Sequence, residues 1–331
     1  LSALSSFITL SDPLFDRIRS VWERRETLGL DAEDLRLLER TYEGFTERGA
    51  LLPTDKKERL KAIQARMSEL SLTFSQNNLK DQQRFRLHII DQHALTGIPE
   101  TSLRSAEALA REEGKSGWVF TLAAPSFFPF MQHCPEGKLR EEMYRAKMIV
   151  GAASDEYDNR ELIRELVNLR LEYAQLLGAK TYAEKALRLR MARTPEAVYQ
   201  LLDELLTAYR PIAEEELRRV EAFAKEHGHT EPLQPWDWSY WAQQYQKAYY
   251  ELDEEMLRPY FELTKVSEAV LGLATTLYGI HFTPRPELPV YHPDVRAYEV
   301  TDADGSYLGL LYTDFFPREG KLSGAWMNNF Q

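Results

Sequence analysis

The sequence predicts a mainly α-helical protein with a small antiparallel β-sheet near its C-terminal end. Apolar residues recur every three or four positions over most of the chain, and recognisable start and stop residues bracket those runs. The last fifth then changes to β-rich segments around an Asp-Gly turn. The chain has 331 residues, of which 44% are apolar and 28% charged, an ordinary globular composition. That length suits about two domains or one large one. Gly and Pro number only 16 each, which favours long helices.

Taken in order, Ser11-Asp12-Pro13 opens a helix whose apolar face holds Leu14, Ile18, Val21 and Trp22, with Gly29 beyond its end. Asp31 is placed to cap the next, which carries Leu35, Leu38, Tyr42 and Phe45 and stops at Gly49. From Thr54, Leu60, Ile63, Met67, Leu70 and Phe74 step 3, 4, 3 and 4, a seam for an antiparallel neighbour within the chain that stops at Asn77-Asn78. After a polar stretch over Leu87–Pro99, a short helix is expected over Thr101–Glu113. Pro125-Ser126-Phe127-Phe128-Pro129-Phe130 then reads as an irregular apolar loop. Helices follow over Gly137–Val150 and Asn159–Leu177, the latter closed by Gly178. Thr194-Pro195-Glu196 starts a long one that Pro211 is expected to kink or break and that His227-Gly228-His229 ends. A helix over Lys265–Tyr278 precedes the β-rich part. There Val295–Val300 and Tyr307–Phe316 flank Asp304-Gly305 as a hairpin, and Ser323–Phe330 reads as a third strand. The expected division is a helical region over 1–279 and a hairpin with an edge strand over 280–331. A chain that stops in or beside that strand reads as cut.

Several function classes are disfavoured. No apolar run is long enough for a bilayer. The first residues, Leu1-Ser2-Ala3-Leu4-Ser5-Ser6-Phe7, lack a basic region, a long apolar core and an initiator Met, so they read as neither a complete signal peptide nor a natural beginning. The net charge of −11 (41 Lys+Arg, 52 Asp+Glu) argues against nucleic acid. A single cysteine, Cys134, favours the cytoplasm, with the periplasm left open.

Local motifs add little chemistry. Of the seven histidines, none is followed by Glu, so the His-Glu-x-x-His zinc helix is absent. His227 and His229 read as loop residues, and His133-Cys134 as a loop imidazole beside a buried thiol. Glu214-Glu215-Glu216 and Asp253-Glu254-Glu255 read as solvated helix faces. The aromatic block Pro235-Trp236-Asp237-Trp238-Ser239-Tyr240-Trp241, continued by Tyr245 and Tyr249 at helical spacing behind an Asp237 N-cap, reads as a packing face rather than a stacking platform.

Longer strings carry more. Leu233–Trp241 running on to Leu252–Phe261, Leu169–Gly178, and Val290–Arg296 followed by Asp304-Gly305, Phe315-Phe316-Pro317-Arg318, Gly320-Lys321 and Ser323-Gly324-Ala325-Trp326-Met327 together resemble the thimet oligopeptidase family of zinc metallopeptidases. The nearest likeness is to its bacterial branch that releases C-terminal dipeptides. The resemblance implies that this chain is the large helical lobe of a two-lobed channel peptidase acting on short peptides. It also implies metal-assisted hydrolysis in which zinc activates a water and a motif Glu acts as general base. In the family the ligands lie downstream of the Gly-Ala-Trp strand, so this chain is expected to hold no catalytic residue and no metal ligand, and to be inactive alone. Its partner is then the missing C-terminal catalytic part of the same protein. Ser323, Gly324, Ala325 and Trp326 are the implied substrate-binding residues, offering backbone groups to an extended peptide. Arg318 and Lys321 are weaker candidates for a peptide carboxylate. The alternatives are an oligopeptidase of the same family that cleaves internal bonds, and a non-catalytic helical module that docks peptides or proteins on the aromatic block.

Overall fold

The computed structural model describes residues 2–250, 254–318, 320–322 and 324–329. The chain runs α1 (Ser2–Thr9), α2 (Asp12–Glu23), α3 (Ala32–Thr46), α4 (Thr54–Arg84), β1 (Leu87–Ile89), α5 (Glu100–Glu112), β2 (Trp118–Phe120), α6 (Ala124–His133) and α7 (Gly137–Met148). It continues through α8 (Arg160–Leu176), α9 (Tyr182–Leu187), α10 (Pro195–Glu226), α11 (Trp238–Tyr250), α12 (Glu254–Leu257), α13 (Leu263–Tyr278), β3 (His281–Pro284), β4 (Arg296–Thr301) and β5 (Tyr307–Thr313). The mainly helical prediction holds. Two compact units emerge, Leu1–Arg84 with Met148–Arg219, and Phe85–Lys147 with Val220–Gln331.

In the first unit the sequence punctuation is realised almost as written. Asp31 Oδ1 accepts the N–H groups of Glu33 and Asp34 at 2.9 and 2.8 Å, holding the first turn of α3. The seam of α4 packs on α8. Leu60 and Ile63 are fully buried with Leu10 and Tyr173, and Met67, Leu169, Leu176 and Leu177 close around them. The pairs Arg59–Glu172 and Arg66–Glu165 flank this seam, and their order along the two helices makes them antiparallel. The apolar repeat ends at Asn77-Asn78 because the helix changes partner chemistry there. Asn77 donates to the buried Asn159 side chain, and Asn159 donates in turn to Asn78, both at 2.9 Å. Asp81 accepts the Gly151 N–H nearby at 2.6 Å. Gly151 has φ +73°, and a Cβ there would lie 2.4 Å from the Asn78 amide oxygen, so only glycine fits.

Pro211 neither breaks nor interrupts α10, which runs from Pro195 to Glu226. The carbonyl that loses its donor belongs to Thr207, on an exposed stretch where water can serve it.

In the second unit, β1 and β2 pair antiparallel (Leu87 opposite Phe120) and lie against α5 and α6. The Pro125–Phe130 stretch, expected as a loop, is helical. Pro125 occupies the first turn, where no N–H bond is lost, and burial of Phe127, Phe130 and Met131 outweighs the internal Pro129. Phe120 and Phe130 meet with ring centroids 4.7 Å apart.

A buried ion pair joins distant parts of this unit. Arg140 Nη2 donates to Asp237 Oδ1 at 2.6 Å, its Nη1 to the carbonyls of Cys134 and Pro135, and its Nε to the Trp236 carbonyl. The guanidinium also lies 4.4 Å from the Tyr240 ring centre. Asp237 Oδ2 accepts the Gln234 N–H, so its carboxylate serves this knot rather than the N-terminus of α11. Trp241, Tyr245 and Tyr249 all meet the ring of Phe223 edge-on, as the packing-face reading requires.

The C-terminal sheet has the order β3-β4-β5, antiparallel throughout. Tight Asp302 and Gly305 hydrogen bonds turn the predicted hairpin, with Gly305 at φ +84°. Its third strand is His281–Pro284, upstream of the hairpin. The strand expected over Ser323–Phe330 is not formed at residues 324–329, and Ser323 and Phe330 lie outside the described residues. Gly324, at φ +116°, takes the chain out of the extended conformation that a strand needs.

Candidate functional site

The segment that follows β5 is organised around one carboxylate. Strand β5 ends at Thr313, and Asp314 comes directly after it. Arg318 closes a fork on Asp314, Nη1 to Oδ1 and Nη2 to Oδ2, both at 2.8 Å. Lys321 Nζ lies 3.0 Å from Oδ1 and also donates to the carbonyls of Asp314 and Phe316 at 2.8 and 2.9 Å. Tyr291, from the loop before β4, donates its hydroxyl to Oδ2 at 3.1 Å. The Arg318 fork holds the Asp314 carboxyl far below the usual carboxylate range, with Lys321 and Tyr291 acting in the same direction. Loss of some hydration at the hydroxyl, the bond to Asp314 and the Asp314 charge together raise the Tyr291 phenol.

Gly320 turns the chain with φ +78°, and residues 324–329 lead on from there, exposed and outside any strand. Of the implied substrate-binding residues, Gly324, Ala325 and Trp326 lie together on this exposed stretch, and Ser323 lies outside the described residues. The Trp326 ring folds back to 3.9 Å from where a Gly324 Cβ would stand. Gly324 carries no side chain and Ala325 a small one, so the backbone of this stretch stands open. Arg318 and Lys321, read from sequence as free cations, are both committed to Asp314. The 314/318 spacing of opposite charges was the available clue; nothing in the sequence pointed to Tyr291.

The remaining candidates resolve as structural groups. His227 Nδ1 sits 2.8 Å from the Phe223 carbonyl and its ring packs on the Phe223 ring. His229 packs beside Trp241, with Nε2 4.0 Å from Asp237 Oδ2. Cys134 is buried, bonds the Ala94 carbonyl, and burial pushes its thiol up to about 11. Glu214 pairs with Arg210, and Glu215 with Arg218 and Arg219; Asp253 lies outside the described residues. Among the described residues no three His, Cys, Asp or Glu side chains converge as a group that could hold a metal ion.

The described residues thus join a mainly helical chain to a three-stranded sheet and an exposed glycine-containing segment. The chain belongs to Peptidase family M3, whose signature matches residues 130–331. It is 37% identical to the dipeptidyl carboxypeptidase of Escherichia coli over its whole length, covering 49% of that protein. It is 34% identical to oligopeptidase A of Salmonella typhimurium, with 99% of this chain and 49% of the relative aligned. A probable cytosolic oligopeptidase A of Arabidopsis thaliana is 35% identical over 96% of this chain and 47% of its own length. The chain thus spans about half the length of these relatives. No described helix is long and apolar enough to cross a membrane.

Proposed function

We propose that these 331 residues form the N-terminal and middle part of a cytoplasmic zinc metallopeptidase that releases dipeptides from the C-termini of short peptides. The observation that carries this reading is the unbroken likeness, 37% over the whole chain, to a dipeptidyl carboxypeptidase. In this reading the chain supplies a wall of the cleft. Residues 323–326 lie along the extended substrate and exchange backbone hydrogen bonds with it, and the zinc ligands and general base belong to polypeptide outside these residues.

Unpartnered apolar surface supports the same reading. Over Pro195–Arg219, α10 buries no side chain although Leu201, Leu205, Tyr209 and Ile212 recur at helical spacing, and α13 buries none either. We assign the rest of the full-length polypeptide, about as long again in the relatives, as the occupant of these faces.

The test is hydrolysis of matched peptides with free and amidated C-termini by the full-length protein. Dipeptide release from the free acids alone, abolished by a chelator, is the expected result. Internal cleavage of the amidated peptides moves the assignment to an oligopeptidase, and no hydrolysis of either overturns it. Residues 1–331 by themselves are expected to show neither hydrolysis nor stoichiometric zinc.

A further inference from the structure

We propose that Asp314 is a positioning residue, a clamp that fixes the turn through Gly320 and thereby sets where residues 324–326 meet the substrate backbone; this rests on the peptidase reading above. Three segments converge on its carboxylate, the loop bearing Tyr291, the end of β5, and the turn bearing Arg318 and Lys321. The two cations come from the same short turn, and both reach back to Asp314, directly after the end of β5. Lys321 adds main-chain bonds to Asp314 and Phe316, so the backbone of the turn is held as well as its side chains.

The segment beyond needs such a hold. Among the described residues, 324–328 take no place in the sheet, so no strand ladder to β5 sets their height or direction. A short stretch that offers backbone groups to an extended peptide must nevertheless be fixed to within a fraction of an ångström. The Asp314 clamp ties down the turn immediately upstream of it. Its side chain is only 13% exposed, and Arg318 and Lys321 are 24% and 18% exposed, so the knot is shielded more than an ordinary surface pair. A bidentate fork fixes orientation as well as distance, which a single ammonium cannot do. The clamp acts through where the following segment stands. Its effect is therefore expected in the binding of peptide rather than in the chemical step.

The test is steady-state kinetics of full-length Asp314→Asn, Lys321→Met and Arg318→Lys on free-acid peptides. Asp314→Asn should raise KM about tenfold or more while kcat stays within about twofold, because uniform binding is what is lost. Arg318→Lys, which keeps the charge but loses the fork, should give an intermediate rise and so partial rescue. Lys321→Met should move KM in the same direction, and it carries the test if Asp314→Asn does not fold. A KM within about twofold of the unsubstituted enzyme in the folded variants, whatever happens to Tm, overturns the inference and leaves the peptidase reading standing. An unsubstituted enzyme that hydrolyses no peptide overturns both.

Discussion

Helices α4 and α10 have 31 and 32 residues and similar apolar spacing, but they meet different surroundings. The seam of α4 finds α8, and Leu60, Ile63 and Leu70 are essentially inaccessible to water. Among the described residues α10 buries no side chain over its first 25 residues, Pro195–Arg219, whereas Val220, Phe223 and Ala224 in its last turns are buried, with the aromatic face of α11 on Phe223. Amphipathic spacing states that a face must be covered, without naming the cover. For α4 the cover is in this chain. For most of α10 no cover is found among the described residues.

Three substitutions sharpen this contrast, read as shifts in denaturant midpoint. Phe223→Ala, which empties the site shared by Trp241, Tyr245 and Tyr249, is expected to destabilise by about 3–5 kcal/mol. Leu60→Ala, in the α4–α8 seam, should cost about 2–5 kcal/mol. Leu205→Ala, on the open part of α10 at 42% exposure, should stay within about 0.5 kcal/mol in these 331 residues. The same Leu205 change in the full-length polypeptide should approach the loss expected for Leu60→Ala. Equal, small effects of Leu205→Ala in both contexts would break the comparison by showing that the α10 stripe stays solvated.

Helix punctuation was the most legible part of the sequence. Asp31 as a cap and Gly49 and Gly178 as stops act locally, through backbone groups within a turn or two of the residue concerned. The misreadings share a different cause. Pro125 and Pro129 suggested a loop, but burial of three large side chains on one side of α6 decided for helix. The sheet took His281–Pro284 as its third strand rather than the segment after Gly320, a choice of partner that propensity does not encode. At the candidate site the segment itself, Gly324-Ala325-Trp326, was readable from its resemblance to a family motif. The clamp behind it was not, because Arg318 and Lys321 look free until Tyr291 and Asp314 are seen beside them.

By itself the sequence determined the helical class, the placement of most helices, and membership of a peptidase family, since each is written in short-range patterns or continuous strings. Tertiary structure alone decided which charges are buried and paired. Arg140 and Asp237 stand 97 positions apart, and Tyr291 and Asp314 stand 23 apart. Which donor meets which carboxylate depends on how folded elements bring such positions within about 3 Å, where a hydrogen bond forms. No periodicity along the chain carries that distance.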